Sequence, residues 1–97
     1  MAAEILRIEG ELILKRGRHA FDEAKHRFDE AIGLARSQEQ KSHELRAATS
    51  LARLLGECGR REEAHATLAG VYGWFTEGFD TPDLLRAGAV LTELRQL

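Results

Sequence analysis

An all-α fold of antiparallel helical hairpins follows from three features of the sequence. Ala, Leu, Glu, Arg and Lys, all strong helix formers, dominate it. β-Branched residues are few and no stretch alternates cleanly between apolar and polar, so strand signals are nearly absent. The breaks between periodic segments are two to five residues long, which leaves consecutive helices no choice but to reverse direction.

The first helix is expected over residues 3–16, with Gly17 as the left-handed residue that stops it. A second covers 21–37, and Asp22 and Glu23 in its first turn favour the positive end of the helix dipole. The third runs over 42–58, from Ser42 as N-cap to a stop at Gly59. A fourth covers 61–76 and ends at Gly78. The fifth has the strongest start, with Thr81 as N-cap, Pro82 at the first helical position and Asp83 beside it, and it runs to 97.

Ninety-seven residues make one domain, 1–97. With 43% hydrophobic and 31% charged residues there is matter for a core, and disorder is excluded. A formal charge of −2 offers no general attraction to nucleic acid or to an anionic membrane surface. The start, Met1 to Glu4, lacks a basic leader, and apolar runs such as Leu12-Ile13-Leu14 fall far short of a spanning helix. The expected location is therefore the cytoplasm. A chain that opens directly on a helical pattern also fits a piece of a longer protein.

The hairpins repeat. Shifting by forty residues lays Ala24, Phe28 and Ala31 on Ala64, Leu68 and Val71. Shifting by forty-two lays Gly10 on Ala52 and Gly17 on Gly59, the difference lying in a longer first turn. Repeat one spans about 3–38, repeat two about 42–77, and a capping helix about 81–97.

These positions resemble the tetratricopeptide repeat (TPR), whose pattern is W-x2-L-G-x2-Y, then A-x3-F, then P. The second hairpin reads Ala48-x2-Leu51-Ala52-x2-Leu55, Gly59 at the turn, then Ala64-x3-Leu68. The first reads Leu6-x2-Glu9-Gly10-x2-Ile13, then Ala24-x3-Phe28-x2-Ala31. It departs from the pattern in having no Trp or Tyr in the first helices, Glu9 in place of Leu, no closing proline and a period near forty. The resemblance implies a fragment of a right-handed α-solenoid. The runs Ser42-x-Glu44-Leu45-Arg46-Ala47-Ala48-Thr49-Ser50-Leu51-Ala52-Arg53-Leu54 and Val71-Tyr72-Gly73-Trp74-Phe75, on to Pro82-Asp83-Leu84, are similar to the C-terminal TPR tail of large bacterial adenylate/guanylate cyclase and P-loop ATPase signalling proteins. That implies a regulatory interaction segment in signal transduction, and the chain itself has no G-x-x-x-x-G-K-[ST] loop.

Chemistry has little to build on. His19, His26, His43 and His65 have no spacing that sets two imidazoles on one helix face, so no metal site is expected, and no cofactor. Adjacent acids such as Asp22-Glu23, Asp29-Glu30 and Glu62-Glu63 point apart on a helix. Cys58 reads as a partly buried helix-end residue, without an activating base, and no nucleophile elbow occurs. No catalytic residue is assigned, and the chain is read as a non-enzyme.

Three groups of residues carry the functional expectations. The TPR resemblance places Glu4, Arg7, Glu11 and Lys15 of the first helix and Arg46, Thr49, Arg53 and Glu57 of the third on a concave face. There the arginines suit a carboxylate-bearing protein or peptide partner. Tyr72, Trp74, Phe75 and Phe79 hold four of the chain's six aromatic residues. They are expected beneath the fifth helix, covered by Leu84, Leu85, Val90, Leu91 and Leu94, or, as the alternative function, around the pocket of a small-molecule sensor. Ile5, Ile8 and Leu12 form an apolar stripe on the first helix that its own hairpin leaves over, so a twofold homodimer through that stripe is expected.

Overall fold

The computed structural model describes residues 2–75 and 81–95. Every regular element among them is helical: α1 (Ala2–Leu14), α2 (Phe21–Ser37), α3 (Lys41–Glu57), α4 (Arg61–Tyr72) and α5 (Pro82–Arg95), with a 3₁₀ turn, Arg18–Ala20, leading into α2. The turns are made as the glycines require. Gly17 and Gly59 take positive φ of 119° and 82°, where a Cβ would be strained. At the end of α3 the Arg60 N–H reaches back to the Leu55 carbonyl at 2.8 Å, the six-to-one bond of a Schellman stop. The end of α2 makes the same bond, from the Gln40 N–H to the Ala35 carbonyl at 2.8 Å. There the left-handed residue is Glu39, at φ 57°.

Several boundaries differ from expectation, each for a local reason. α1 ends at Leu14, because Lys15, Arg16 and Gly17 bond three residues back and tighten the chain ahead of the positive-φ glycine. α4 stops at Tyr72, four residues early, for the same reason: Trp74 and Phe75 donate to Val71 and Tyr72. Gly78, the expected stop, lies outside the described residues. The N-cap of α3 is Gln40, without a side-chain cap, and Ser42 stands inside the helix. Thr81 does open α5: its carbonyl accepts from Leu85 at 2.9 Å, and its Oγ1 lies 3.5 Å from the Leu84 nitrogen.

Helix directions can be read from residue pairs. Gly10 lies against Phe28, Glu9 pairs with Arg27 and Arg16 with Glu23, so numbers rise along α1 as they fall along α2. Tyr72 lies against Gly88, and His65 meets Arg95, so α4 and α5 are also antiparallel. Between α1 and α3 numbers rise together, from Glu4–Arg46 to Glu11–Ser50. The same holds for α3 and α5, from Arg46–Asp83 to Gly56–Leu94. α3 packs against all four other helices, whereas α2 does not touch α4. The result is three parallel helices, α1, α3 and α5, side by side, with α2 and α4 behind them. A shortest dimension of 19 Å is about two helix diameters.

Small residues make that packing possible. Ala24 and Ala64, forty positions apart, are both fully buried, as are Phe28 and Leu68. Gly10 and Ala52 are buried too. A helix enclosed on several sides should be apolar around much of its circumference, and α3 is: Leu45, Ala47, Ala48, Leu51, Ala52, Leu54 and Leu55 are all buried. α5 closes the far side with Leu84, Ala87, Val90 and Leu91.

Candidate functional site

Where α1, α3 and α5 lie parallel, their polar faces meet in a cleft of about 210 Å³. Its walls are Glu4, Arg7 and Glu11 from α1, Arg46, Thr49, Ser50 and Arg53 from α3, and Asp83 and Arg86 from α5. A second cleft of about 460 Å³ continues toward the C-terminal ends of α3 and α5, lined among others by Glu57, Arg61 and Glu93. Arg53 and Arg86 line both clefts. Of the expected concave-face residues, Glu4, Arg7, Glu11, Arg46, Thr49 and Arg53 are thus brought together, and Glu57 lies in the adjoining cleft. Lys15 follows the end of α1, exposed and outside both.

The two ends of this groove differ chemically. At the N-terminal end the charges satisfy one another. Arg46 donates to Asp83 at 2.9 Å and to Glu4 at 3.1 Å, so one side chain of α3 ties α1 to α5. Arg7 donates to both oxygens of Glu4, at 2.8 and 3.1 Å, and lies 3.6 Å from Glu11. Ser50 donates its hydroxyl to Glu11 at 3.1 Å, and Thr49 turns its own back to the Leu45 carbonyl at 2.8 Å. The hydrogen bond from Arg7 holds the Glu4 carboxyl below its ordinary range, outweighing burial, which pushes the other way. Arg46 and Arg7 are held further above theirs, chiefly by hydrogen bonds to Asp83 and Glu4 respectively. Of the two arginines expected to meet a partner, Arg46 ties α3 to α1 and α5, and Arg7 pairs within α1, with Glu4 and Glu11.

At the other end the cations are open. Among the described residues, Arg53 and Arg86 have neither an ion-pair nor a hydrogen-bond partner, and both are exposed where they line the two clefts. Arg86 is not among the expected binding residues, because the sequence marks α5 only as a cap. Its signal was present: Arg86 follows Asp83 by three, one turn along the same helix face, so the helix that delivers Asp83 to Arg46 must also deliver Arg86 to the groove.

The aromatic residues follow the arrangement beneath the fifth helix in part, with Tyr72 lying against Gly88 of α5. Tyr72 and Phe75 are half-buried and pack against the core. Trp74 is 45% exposed, with the Arg36 guanidinium 5.7 Å from its ring centroid. Phe79 lies outside the described residues. Leu85, expected to cover the cluster, is exposed, because α5 turns Leu84 and Ala87 inward and Leu85 falls on the opposite side. Arg36 also pairs at 2.8 Å with Glu44, whose side chain is almost wholly buried. This contact, joining α2, α3 and the end of α4, had no local signal in the sequence.

The apolar stripe lies open: Ile5, Ile8 and Leu12 are 56%, 45% and 56% exposed. Leu14 instead packs against the core, and Ile13 is buried in it. Cys58, expected partly buried, is exposed, since the chain turns outward at Gly59 directly after it. The histidines serve separate helices, His26 beside Glu30, His43 bonded to Gln40 and His65 accepting from Arg95.

No protein-family profile, curated protein or solved structure matches this chain. Among the described residues, no helix is long and apolar enough to cross a membrane.

Proposed function

We propose that this chain is a non-catalytic interaction module, a TPR-like pair of helical hairpins with a capping helix, that receives an acidic segment of a partner protein in the groove between α3 and α5. The observation that carries the reading is the pair of exposed, unpartnered guanidiniums, Arg53 and Arg86, lining the groove beside an ionic cluster whose charges are paired. An exposed guanidinium with no carboxylate of its own is free to take one bidentately from a partner. The parallel order of α1, α3 and α5, with α2 and α4 behind, supports a right-handed α-solenoid fragment, whose first helices present a rigid face to a peptide. The resemblance to cyclase and ATPase tails supplies a setting, the regulatory segment of a bacterial signalling protein. The rival reading, a small-molecule sensor at Tyr72–Phe79, has less support, because Tyr72 and Phe75 pack into the core and Arg36 covers Trp74.

The test is calorimetric titration with a flexible Asp/Glu-rich peptide and its Asn/Gln counterpart. The acidic peptide should bind more weakly as salt is raised. Arg53→Glu and Arg86→Glu should each reduce affinity by about tenfold or more, and Lys15→Glu should not. Equal binding of the amide peptide, or indifference to both arginine reversals, would refute the groove.

A further inference from the structure

The groove between α3 and α5 carries two open acids as well as two open cations, and the four are sorted along it. The helices run parallel, with Arg46 bonded to Asp83 and Gly56 close against Leu94. That register brings Arg86 level with Thr49, Arg53 with Val90 and Glu93 with Gly56. Glu57 follows Arg53 by one turn, about 6 Å along the axis, and Glu93 follows Arg86 by two turns, about 10 Å. The arginines therefore stand nearer the N-terminal ends of the two helices and the glutamates nearer the C-terminal ends. Glu57 and Glu93 line only the second cleft, whereas the arginines line both.

All four residues are exposed, and among the described residues neither glutamate has an ion-pair or hydrogen-bond partner. Arg53 and Glu57 have the spacing of a helical ion pair, but the cation precedes the anion, which is the weaker order, and the pair is not made. A uniformly acidic segment that followed the groove would thus leave two cations and run into two bare carboxylates. Arg61, at the start of α4, also lines the second cleft, yet it borders two further depressions outside the groove, beside His65 and beside Glu63. Resting on the groove reading above, we infer that the partner segment is dipolar, with acids at Arg86 and Arg53 and bases at Glu93 and Glu57. At about 3.3 Å per residue, an extended chain covers the separation of the two charge pairs in two or three residues. The order of charges, whichever way the chain runs, then selects the partner, because a wrong order sets like charges together.

Chemical-shift titration of the isotope-labelled protein at low salt tests this with four blocked peptides. They are Glu-Glu-Ser-Lys-Lys, its shuffled form Glu-Lys-Ser-Glu-Lys, Glu-Glu-Ser-Gln-Gln and Glu-Glu-Ser-Glu-Glu. The first should bind about fivefold more tightly than any of the others, each exposed pair adding a small gain. Glu57→Gln combined with Glu93→Gln, at exposed and unpaired side chains, should keep the helical circular-dichroism spectrum and abolish that advantage. A nitroxide on the basic end of the first peptide should broaden the amide signal of Glu57 more than that of Thr49. Equal binding of Glu-Glu-Ser-Lys-Lys and Glu-Glu-Ser-Gln-Gln would overturn the dipolar partner and leave the carboxylate groove standing. So would a shuffled peptide that binds as well as the sorted one, an advantage that survives the double variant, or broadening greatest at Thr49. Tightest binding of Glu-Glu-Ser-Glu-Glu would give the second cleft to Arg61 and overturn it too. Failure of every peptide to bind would overturn the groove and the dipolar partner together.

Discussion

Adding one methyl group at Gly10 should destabilise the protein, against the usual gain from replacing a helical glycine. A Cβ there would lie 2.6 Å from Phe28 Cε1, 2.9 Å from Cδ1 and 3.0 Å from Cζ. Carbon atoms pack best at about 3.5–4.0 Å, so the ring would have to retreat by about 1 Å. Phe28 is wholly buried and cannot swing into solvent. Overpacking of this kind costs about 1–3 kcal/mol, and the better helix propensity of alanine returns about 1 kcal/mol. The expected net loss is up to about 2 kcal/mol, at roughly 4–8 °C of Tm per kcal/mol for a chain of this size. Gly33 and Gly70 are the controls: both are exposed, and a Cβ at either meets nothing within 4 Å. Gly33→Ala and Gly70→Ala should therefore each stabilise by up to about 1 kcal/mol. Hairpin two holds Ala52 and Leu68 where hairpin one holds Gly10 and Phe28, so Phe28→Leu should relieve the clash. In urea denaturation followed by circular dichroism, the double variant should be more stable than the sum of the single losses by about 1 kcal/mol or more. If Gly10→Ala stabilised as Gly33→Ala does, or if the two changes were additive, the close approach of α1 to α2 and the equivalence of the hairpins would both be refuted.

Two further outcomes follow from local geometry. Glu4 has its carboxyl pKa depressed in the folded state, so its contribution to stability is complete above the ordinary value of about 4.5 and is lost as the pH falls below it. Glu4→Gln should accordingly be less stable than the parent near neutral pH, with the gap in Tm closing toward pH 3, and a gap that does not change with pH would contradict the ionic cluster. Glu39 holds a left-handed conformation at the α2 stop that Gly17 and Gly59 fill with glycine elsewhere. Glu39→Gly should raise stability by about 1 kcal/mol, or roughly 4–8 °C in Tm, and a drop on thermal melting would show that its side chain supports the turn.

The sequence determined the elements and their inward faces, because both depend on neighbours within a turn or two. Helix-forming composition, Gly17 and Gly59 at the stops and Thr81-Pro82 at the last start suffice for the all-α fold. The forty-residue offset foretells that Ala24 and Ala64, and Phe28 and Leu68, are buried alike, and the bearing of Ile5, Ile8 and Leu12 follows from helical period alone. What the sequence left open is which polar faces meet, since Arg46 lies forty-two residues from Glu4 and thirty-seven from Asp83. Only the side-by-side placement of α1, α3 and α5 decided that Arg46 binds the helices together while Arg53 and Arg86 are left without an ionic partner among the described residues. Arg36 met Trp74 and the buried Glu44 for the same reason. A charged side chain takes its role from whichever opposite charge the tertiary packing sets within a few ångströms, and periodicity along one helix carries no record of that distance.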